Sequence, residues 1–354
     1  MKKTFAAAAL AAAFALGAAC TPAHGAGAEA ASGPLYAVVE IPLAGPACGP
    51  TDMPARDVEL VVRFRHESGA PALEVHGFWD GDGAGGTRGG VFKVRFCPTS
   101  AGRWTIEEVR SNHPGLAGQK KGDYVTAIPS NLKGFWTPDP ESPGRRWYRR
   151  SDGSHAYIFG NTHYTLVSER TDRGEAPGDI AATIAGDAAY FNKVRLSVHG
   201  CRYAHPTDKP FFDSAGHPTD DGDYSNRPNP AYFHRRVDAA VRAAFDRDVV
   251  ADLILNGPDV PESRSALRAA QNGGDPTPFL EYLAARYGSF PNVWMCLSNE
   301  WNIKSPKYTA EEVRRFGAIL RRFLPYPTPV SIHGNAGPWS ETLKTRMRVT
   351  ASAC

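Results

Sequence analysis

Cysteine is scarce in this chain: six occur in 354 residues, as Cys20, Cys48, Cys97, Cys201, Cys296 and Cys354. No two stand at Cys-x-x-Cys spacing, which argues against a zinc site built from thiolates. The sequence also lacks G-x-S-x-G, so it offers no nucleophile elbow for serine hydrolase chemistry, and the His66-Glu67 pair lacks the second histidine of a zincin. Neither sign of charge dominates. Lys plus Arg number 40 against 37 Asp plus Glu, a net charge of +3, too balanced to steer the protein onto nucleic acid or an anionic membrane by charge alone. Glycine and proline are plentiful, at 35 and 29, but without a G-X-Y period. They imply turns and long loops, not a collagen-like chain.

At the N-terminus, Lys2 and Lys3 precede an uncharged Ala/Leu/Phe run through Ala19, the charged and apolar regions of a secretory signal peptide over residues 1–20. The run is short for a bilayer span. Gly17, Ala18, Ala19 and Cys20 approach a lipoprotein box with its leucine one place early, at Leu16; lipidation of Cys20 and simple cleavage both fit. Either route exports the protein, to the periplasm, the outer membrane as a lipoprotein, or the extracellular space. The only membrane attachment expected is a lipid at Cys20. In an oxidising compartment disulfides persist, so Cys48 and Cys97 are a candidate pair, with two separate buried thiols as the alternative.

Two kinds of pattern follow. Val58 to Arg65, Ala72 to Trp79, Val91 to Phe96, Trp104 to Val109 and Asp123 to Ala127 are short runs rich in β-branched and aromatic residues between Gly, Pro, Asp and Ser clusters. Such runs predict an antiparallel β-sandwich over residues 33–128. Gly81, Gly83 and Gly86 match G-x-G-x-x-G but join two strands and open no helix, so they read as a hairpin loop. Residues 129–146, with Pro129, Pro138, Pro140 and Pro143, suit a linker. From residue 147 to 354, strand-like runs at Ala156 to Phe159, Asn192 to His199, Val249 to Leu255, Asn292 to Ser298 and Thr328 to His333 alternate with helical patterns. These are repeated βα units on a parallel sheet. The helical steps run through Val237 to Phe245, Phe279 to Tyr287, and Val313 to Phe323, the last behind a Thr309/Glu312 capping box. The fold expected is multidomain: a β-sandwich followed by a (β/α) TIM-type barrel.

A barrel of this kind carries its chemistry at the C-terminal ends of its strands. There NVWMCLS runs into Asn299, Glu300, Trp301 and Asn302. A carboxyl beside an aromatic wall can serve as general acid on a leaving oxygen, and a neighbouring amide can bond a sugar hydroxyl. Glu300 could instead cap a helix or pair with Lys304 or Lys307. Arg195 could orient a carboxylate and substrate or form a surface salt bridge. His163, His199 and His333 fall near strand ends, where neutral imidazoles could face sugar hydroxyls or serve structure alone.

The segment FNKVRLSV, the Asn-Glu after NVWMCLS and the strand-end histidines resemble the clan of retaining glycoside hydrolases on the (β/α)₈ barrel. RRWYRRSDGSHAYIFGNTHYTLV and NPAYFHRRVDAAVRAAFDRDVVADLIL resemble the apiosidase-like, cellulase-like barrel family of exported bacterial proteins. Residues 35–127 resemble the small β-sandwich of unknown function that precedes such barrels. The resemblance implies hydrolysis of O-glycosidic bonds in a poly- or oligosaccharide without a cofactor. It makes Glu300 the acid/base, Asn299 a hydroxyl ligand and Arg195 a support for the nucleophile.

A retaining mechanism needs a second carboxylate about 5 to 5.5 Å from the first, which in this clan follows strand seven. Five strands are counted by His333, and the tail TLKTRMRVTASAC continues no βα pattern, so the barrel is expected to stop after about strand five and the retaining form to be inactive here. Asp259 could serve as base for an inverting reaction. A non-catalytic alternative has the sandwich and a degenerate barrel binding glycans, with Trp79, Trp136, Trp301 and Trp339 stacking on sugar rings or packing the core. A metal-dependent alternative leans on Asp220, Asp221 and Asp223, whose DDGD run lacks the spacing of a calcium loop.

Overall fold

The computed structural model describes residues 27–143, 147–167, 179–199, 209–220, 226–256, 267, 275–303 and 307–334. The N-terminal segment with Cys20, Cys201, Asp221, Asp223, Asp259, Trp339, the C-terminal tail and Cys354 lie outside them.

The first part of the chain forms β1 (Glu29–Pro34), β2 (Val39–Cys48), a single turn α1 (Pro54–Asp57), β3 (Leu60–His66), β4 (Ala72–Trp79), β5 (Gly89–Phe96), β6 (Gly102–Ser111) and β7 (Tyr124–Ile128). They make one seven-stranded sheet in the order β1-β7-β6-β3-β4-β5-β2. Its edges β1 and β2 come together, so the sheet is nearly closed. Five of the six pairings are antiparallel; β1 runs parallel to β7. That pair differs from the all-antiparallel expectation because it joins the two ends of the unit, where no hairpin turn announces it. Strand β4 serves both layers: Ala72–His76 pair with β3 and Gly77–Trp79 with β5. A Cβ at the switch point, Gly77, would collide with Leu60.

Alternation puts Ile41, Leu43, Val62, Phe64, Trp104 and Ile106 inside this sheet, as a period of two requires. Phe64 stacks on Phe96 at 4.0 Å between centroids, and Trp104 meets Phe96 edge-on at 5.2 Å. The Gly81–Gly86 run lies in the loop between β4 and β5, as its setting between strands implied. The Asp82 carboxylate accepts from the amides of Ala84 and Gly86, both at 2.8 Å. The candidate Cys48–Cys97 disulfide is not formed. Cys48 and Cys97 are free thiols, at opposite ends of the β2/β5 ladder: Cys48 pairs with Gly89 while Cys97 follows Phe96, the partner of Val39. Eight residues of strand separate the two ends by about 25 Å, whereas a disulfide needs Cα atoms within about 7 Å.

A small hairpin, β8 (Trp136–Pro138) with β9 (Tyr148–Arg150), leads to β10 (Gly160–His163), α2 (Ile180–Ala188) and β11 (Lys193–Ser197). There follow a two-residue hairpin, β12 (Phe211–Phe212) with β13 (Pro218–Thr219), and a long helical stretch: α3 (Pro230–Tyr232), a π turn Phe233–Val237, and α4 (Asp238–Phe245). Then come β14 (Val250–Ile254), α5 (Thr277–Tyr287), β15 (Val293–Cys296), α6 (Ala310–Phe323) and β16 (Val330–Ser331). Strands β10-β11-β14-β15-β16 form a five-stranded sheet, parallel throughout and in chain order. The first of these strands lies after the expected Ala156–Phe159 run, whose Tyr157 and Phe159 are exposed.

Each well-formed helix has a local cause. Asp179 caps α2 by accepting from Ala181 and Ala182 at 2.7 and 3.0 Å. The box expected before α6 is present: Glu312 N–H donates to Thr309 Oγ1 at 3.1 Å and Thr309 N–H to Glu312 Oε2 at 2.6 Å. The parallel sheet sorts its residues by parity. Val194, Leu196, Ala251, Leu253, Val293 and Met295 pack with the helices in one core. In the alternate positions stand Lys193, Arg195, Asp252, Trp294, Cys296 and Ser331, and register places Arg195, Asp252 and Trp294 in one row. The face away from the helices therefore carries the charged groups, beside a small apolar cluster of Val250 and Trp294 with Trp136.

Candidate functional site

The polar face is built from its row of charges upward. Lys193 Nζ contacts Asp252 Oδ2 at 2.7 Å, and Arg195 Nε lies 3.8 Å from the same oxygen. The Lys193 ammonium stands 4.9 Å from the Trp294 ring centroid, and Tyr148 of the β8/β9 hairpin packs on that ring at 4.9 Å. The hairpin thus covers the N-terminal side of the row. The guanidinium of Arg195 reaches the other way: Nη1 donates to Asn299 Oδ1 at 2.9 Å and Nη2 lies 3.2 Å from Cys296 Sγ.

Asn299 Oδ1 is also 2.7 Å from His333 Nδ1. Since the amide oxygen only accepts, this contact requires the proton on Nδ1 and turns Nε2 into the acceptor. Burial, followed by the positive charge of Arg195, lowers the His333 pKa, with Glu300 and Asp252 opposing, so the ring is neutral at pH 7. Arg195 from the middle of β11 thereby meets the residues that follow β15 and β16 in one constellation, Arg195–Asn299–His333. Glu300 is the next residue, with φ at +45°. A non-glycine residue in the left-handed region is strained, and such strain persists where the surroundings over-determine it. The loop after it folds back: Trp301 N–H donates to the His333 carbonyl at 3.2 Å and Tyr308 N–H to the Trp301 carbonyl at 3.0 Å. Trp301 is half-buried, packed against the helix-side core.

Two of the sequence candidates stand elsewhere. His163 pairs with Leu196 in the β10/β11 register, which turns it toward the helix layer. Its Nε2 sits 2.6 Å from Asp187 Oδ2 on α2, and Asn161 bonds the same carboxylate at 3.1 Å. His199 is 1% exposed between Phe211 and Phe279. Its Nε2–H donates to the Leu255 carbonyl at 3.0 Å, and burial drives its pKa down to about 4 against that bond. Both histidines brace elements; neither joins the Arg195 group. Trp79 and Trp136 are core residues, 4% and 3% exposed. Lys193, Asp252 and Cys296 were missed by sequence reasoning. The signal for them was available: they alternate with apolar residues along strands already identified.

Among the described residues no group of three or more His, Cys, Asp or Glu is placed to hold a metal ion. Likewise, no described helix is long and apolar enough to cross a membrane. Of the described residues that follow the five parallel strands at their C-terminal ends, Glu300 is the one carboxylate. Arg195 is a fixed cation beneath it, and Asn299 and His333 offer neutral hydrogen-bonding groups. This combination suits an uncharged, hydroxyl-rich ligand with one bond in need of a proton.

The profile of a family described as a domain of unknown function, DUF5060, matches residues 34–109, most of the seven-stranded sheet. None of the curated proteins matches the chain. Among solved structures, the chain is similar to a candidate glycoside hydrolase from Bacteroides vulgatus ATCC 8482, at 21% identity and a TM-score of 0.67, over 91% of this chain and 58% of that one. Smaller shares superpose on a glycoside hydrolase family 5 protein of the same organism and on a family 5 mannosidase from Rhizomucor miehei. These give 16% and 10% identity, TM-scores of 0.43 and 0.41, coverage of 62% and 60% of this chain, and of 45% and 59% of theirs. The chain spans less than two thirds of the length of each. The first of these likenesses, at 21% identity, is one of fold alone: the chain shares the fold of that glycoside hydrolase structure.

Proposed function

We propose that the constellation at the C-terminal rim of the parallel sheet is a carbohydrate site of an exported protein, and that in its catalytic form it hydrolyses an O-glycosidic bond with Glu300 as acid/base. One observation carries the reading: Arg195, Asn299 and His333 converge from three strands through one amide oxygen, at 2.9 and 2.7 Å, and hold the backbone that presents Glu300. The five parallel units are read as part of a TIM-type barrel, whose chemistry belongs at this rim. In that mechanism Glu300 protonates the leaving oxygen, and Asn299 spends its amide N–H on a sugar hydroxyl while its oxygen stays with Arg195 and His333. A retaining cleavage also needs a second carboxylate to take the anomeric carbon.

A second reading is binding without cleavage, and it too has an observation in its favour: Glu300 is the one carboxylate among the described residues that follow the strands. The two are separated by incubating the protein with soluble xylan, mannan, β-glucan and arabinan, measuring reducing ends, and running the same polysaccharides in native gels. Release of reducing ends that falls by about 100-fold or more in Glu300→Gln, the scale of a general acid, supports hydrolysis. Retardation in a gel without release supports binding alone. Neither release nor retardation on any polymer removes the proposal.

A further inference from the structure

The seven-stranded sheet meets the helix layer through ions, and those ions are buried. Asp238 opens α4 and is 3% exposed; Arg95 on β5 and Arg286 on α5 are 1% and 0% exposed. Both guanidiniums grip the one carboxylate. Arg95 Nη2 lies 2.5 Å and Arg286 Nη2 2.8 Å from Asp238 Oδ2, and Arg286 Nε donates to Oδ1 at 2.9 Å. The other terminal nitrogen of Arg286 reaches back across the boundary: its Nη1 donates to Asp80 Oδ1, just after β4, at 2.7 Å. Lys93 contacts Asp80 Oδ2 at 2.7 Å, and Glu40 on β2 accepts from Arg95 Nε at 2.8 Å. Three buried cations face three carboxylates, and a fourth, Arg242, joins at the exposed rim through Glu40. Burial alone would raise the Asp238 carboxyl, but Arg286 and Arg95 outweigh it and hold it well below the usual carboxylate range.

Bonds between side chains and main-chain groups cross the same boundary. Arg95 Nη1 donates to the Arg286 carbonyl at 2.6 Å, Ser289 Oγ donates to the Arg95 carbonyl, and Cys97 N–H donates to the Tyr326 hydroxyl at 2.8 Å. The contacts therefore reach α4, α5 with the turn that leads into β15, and the turn that leads into β16. A tethered module with its own ligand would meet its neighbour over a wet, polar boundary. This boundary instead joins the pairs within each side, Lys93–Asp80, Arg95–Glu40 and Arg286–Asp238, by two buried ion pairs across it, Arg95–Asp238 and Arg286–Asp80.

We infer that the seven-stranded sheet, which matches a domain of unknown function, acts as a fixed buttress for the helix pair α4/α5 of its own chain, and that the two fold and open as one unit. Opening the boundary would break the buried Arg95–Asp238 and Arg286–Asp80 pairs and strip each guanidinium of part of its hydrogen bonding, a strongly destabilising loss that couples the two sides. The test is hydrogen exchange of the intact wild-type protein at rising urea, read by mass spectrometry. Peptides of β4–β5 and of α4–α5 are expected to lose protection at the same urea concentration, with a single calorimetric transition on heating. Asp238→Asn is expected to lower that transition by roughly 6 to 20 °C, while Arg242→Ala, at the exposed rim where Arg242 meets Glu40, lowers it by no more than about 4 °C. If one unit exchanges while the other stays protected, if the wild type melts in two transitions, or if the two substitutions cost the same, the inference is overturned. The wild-type exchange decides the matter even where Asp238→Asn fails to fold.

Discussion

His199 makes the stability of this protein depend on pH over a defined window. Its ring is sealed between two phenylalanines, and its pKa falls from an ordinary 6.5 to about 4. The folded value lies below the unfolded one, so the neutral ring contributes fully above pH 6.5, and its contribution is lost as the pH falls to about 4. At about 1.4 kcal/mol per pH unit, the whole loss is about 3 kcal/mol, of which about 2 kcal/mol falls between pH 7 and pH 5. Glutamine is the informative replacement, because its amide can still donate to the Leu255 carbonyl from near the position of Nε2 but does not titrate. Urea unfolding of the wild type and His199→Gln at pH 7 and pH 5 measures the effect. The wild type should lose about 2 kcal/mol more than the variant over that interval. Equal losses would refute both the burial of a neutral imidazole at this position and the reasoning from it.

Other consequences are local. Glu300→Gly should relieve the left-handed strain at φ +45° and raise stability by about 1 kcal/mol while removing the proposed acid, a gain and a loss that thermal melting and the reducing-end assay read separately. Thr309→Ala should cost about 1 kcal/mol in urea unfolding, because it removes the hydroxyl that caps α6. Of Cys48, Cys97 and Cys296, an alkylating reagent followed by peptide mass analysis should label only Cys48 in the folded protein. Burial encloses the other two and raises their thiols. Labelling of Cys97 without unfolding would contradict its place behind β5.

Much of this architecture was legible in the sequence because it is local. The strands β3 to β7 and the helices α4 to α6 announce themselves by period and by turn residues, and the Thr309/Glu312 box marks a helix start without help from tertiary structure. What escaped has physical reasons. In β2, VEIPLAGPAC, the prolines and glycine interrupt the alternation on which strand reading depends, and β1, EAASGP, has almost no apolar content to alternate. Helix α2, IAATIAGDA, shows no stripe of large apolar residues. At the rim, Asn299, Glu300 and Arg195 could be singled out because strand ends in a parallel sheet are where chemistry gathers. The histidines could not be told apart, since whether a strand-end side chain faces the helices or the opposite face is set by register with the neighbouring strand. The Arg95–Asp238–Arg286 cluster was invisible for a related reason: its members lie 143 and 191 residues apart, and no local pattern links them.

The most direct test of the carbohydrate site is affinity electrophoresis of the wild type beside Asn299→Ala, in native gels cast with xylan, mannan, β-glucan or arabinan, with thermal melting of both proteins to confirm that the variant is folded. Asn299 is the one side chain that Arg195 and His333 share, so its loss should disperse the constellation. The expected result is a polymer that retards the wild type and no longer retards the folded variant. Equal retardation of the two proteins, or none of the wild type in any gel, would contradict a glycan site at this rim.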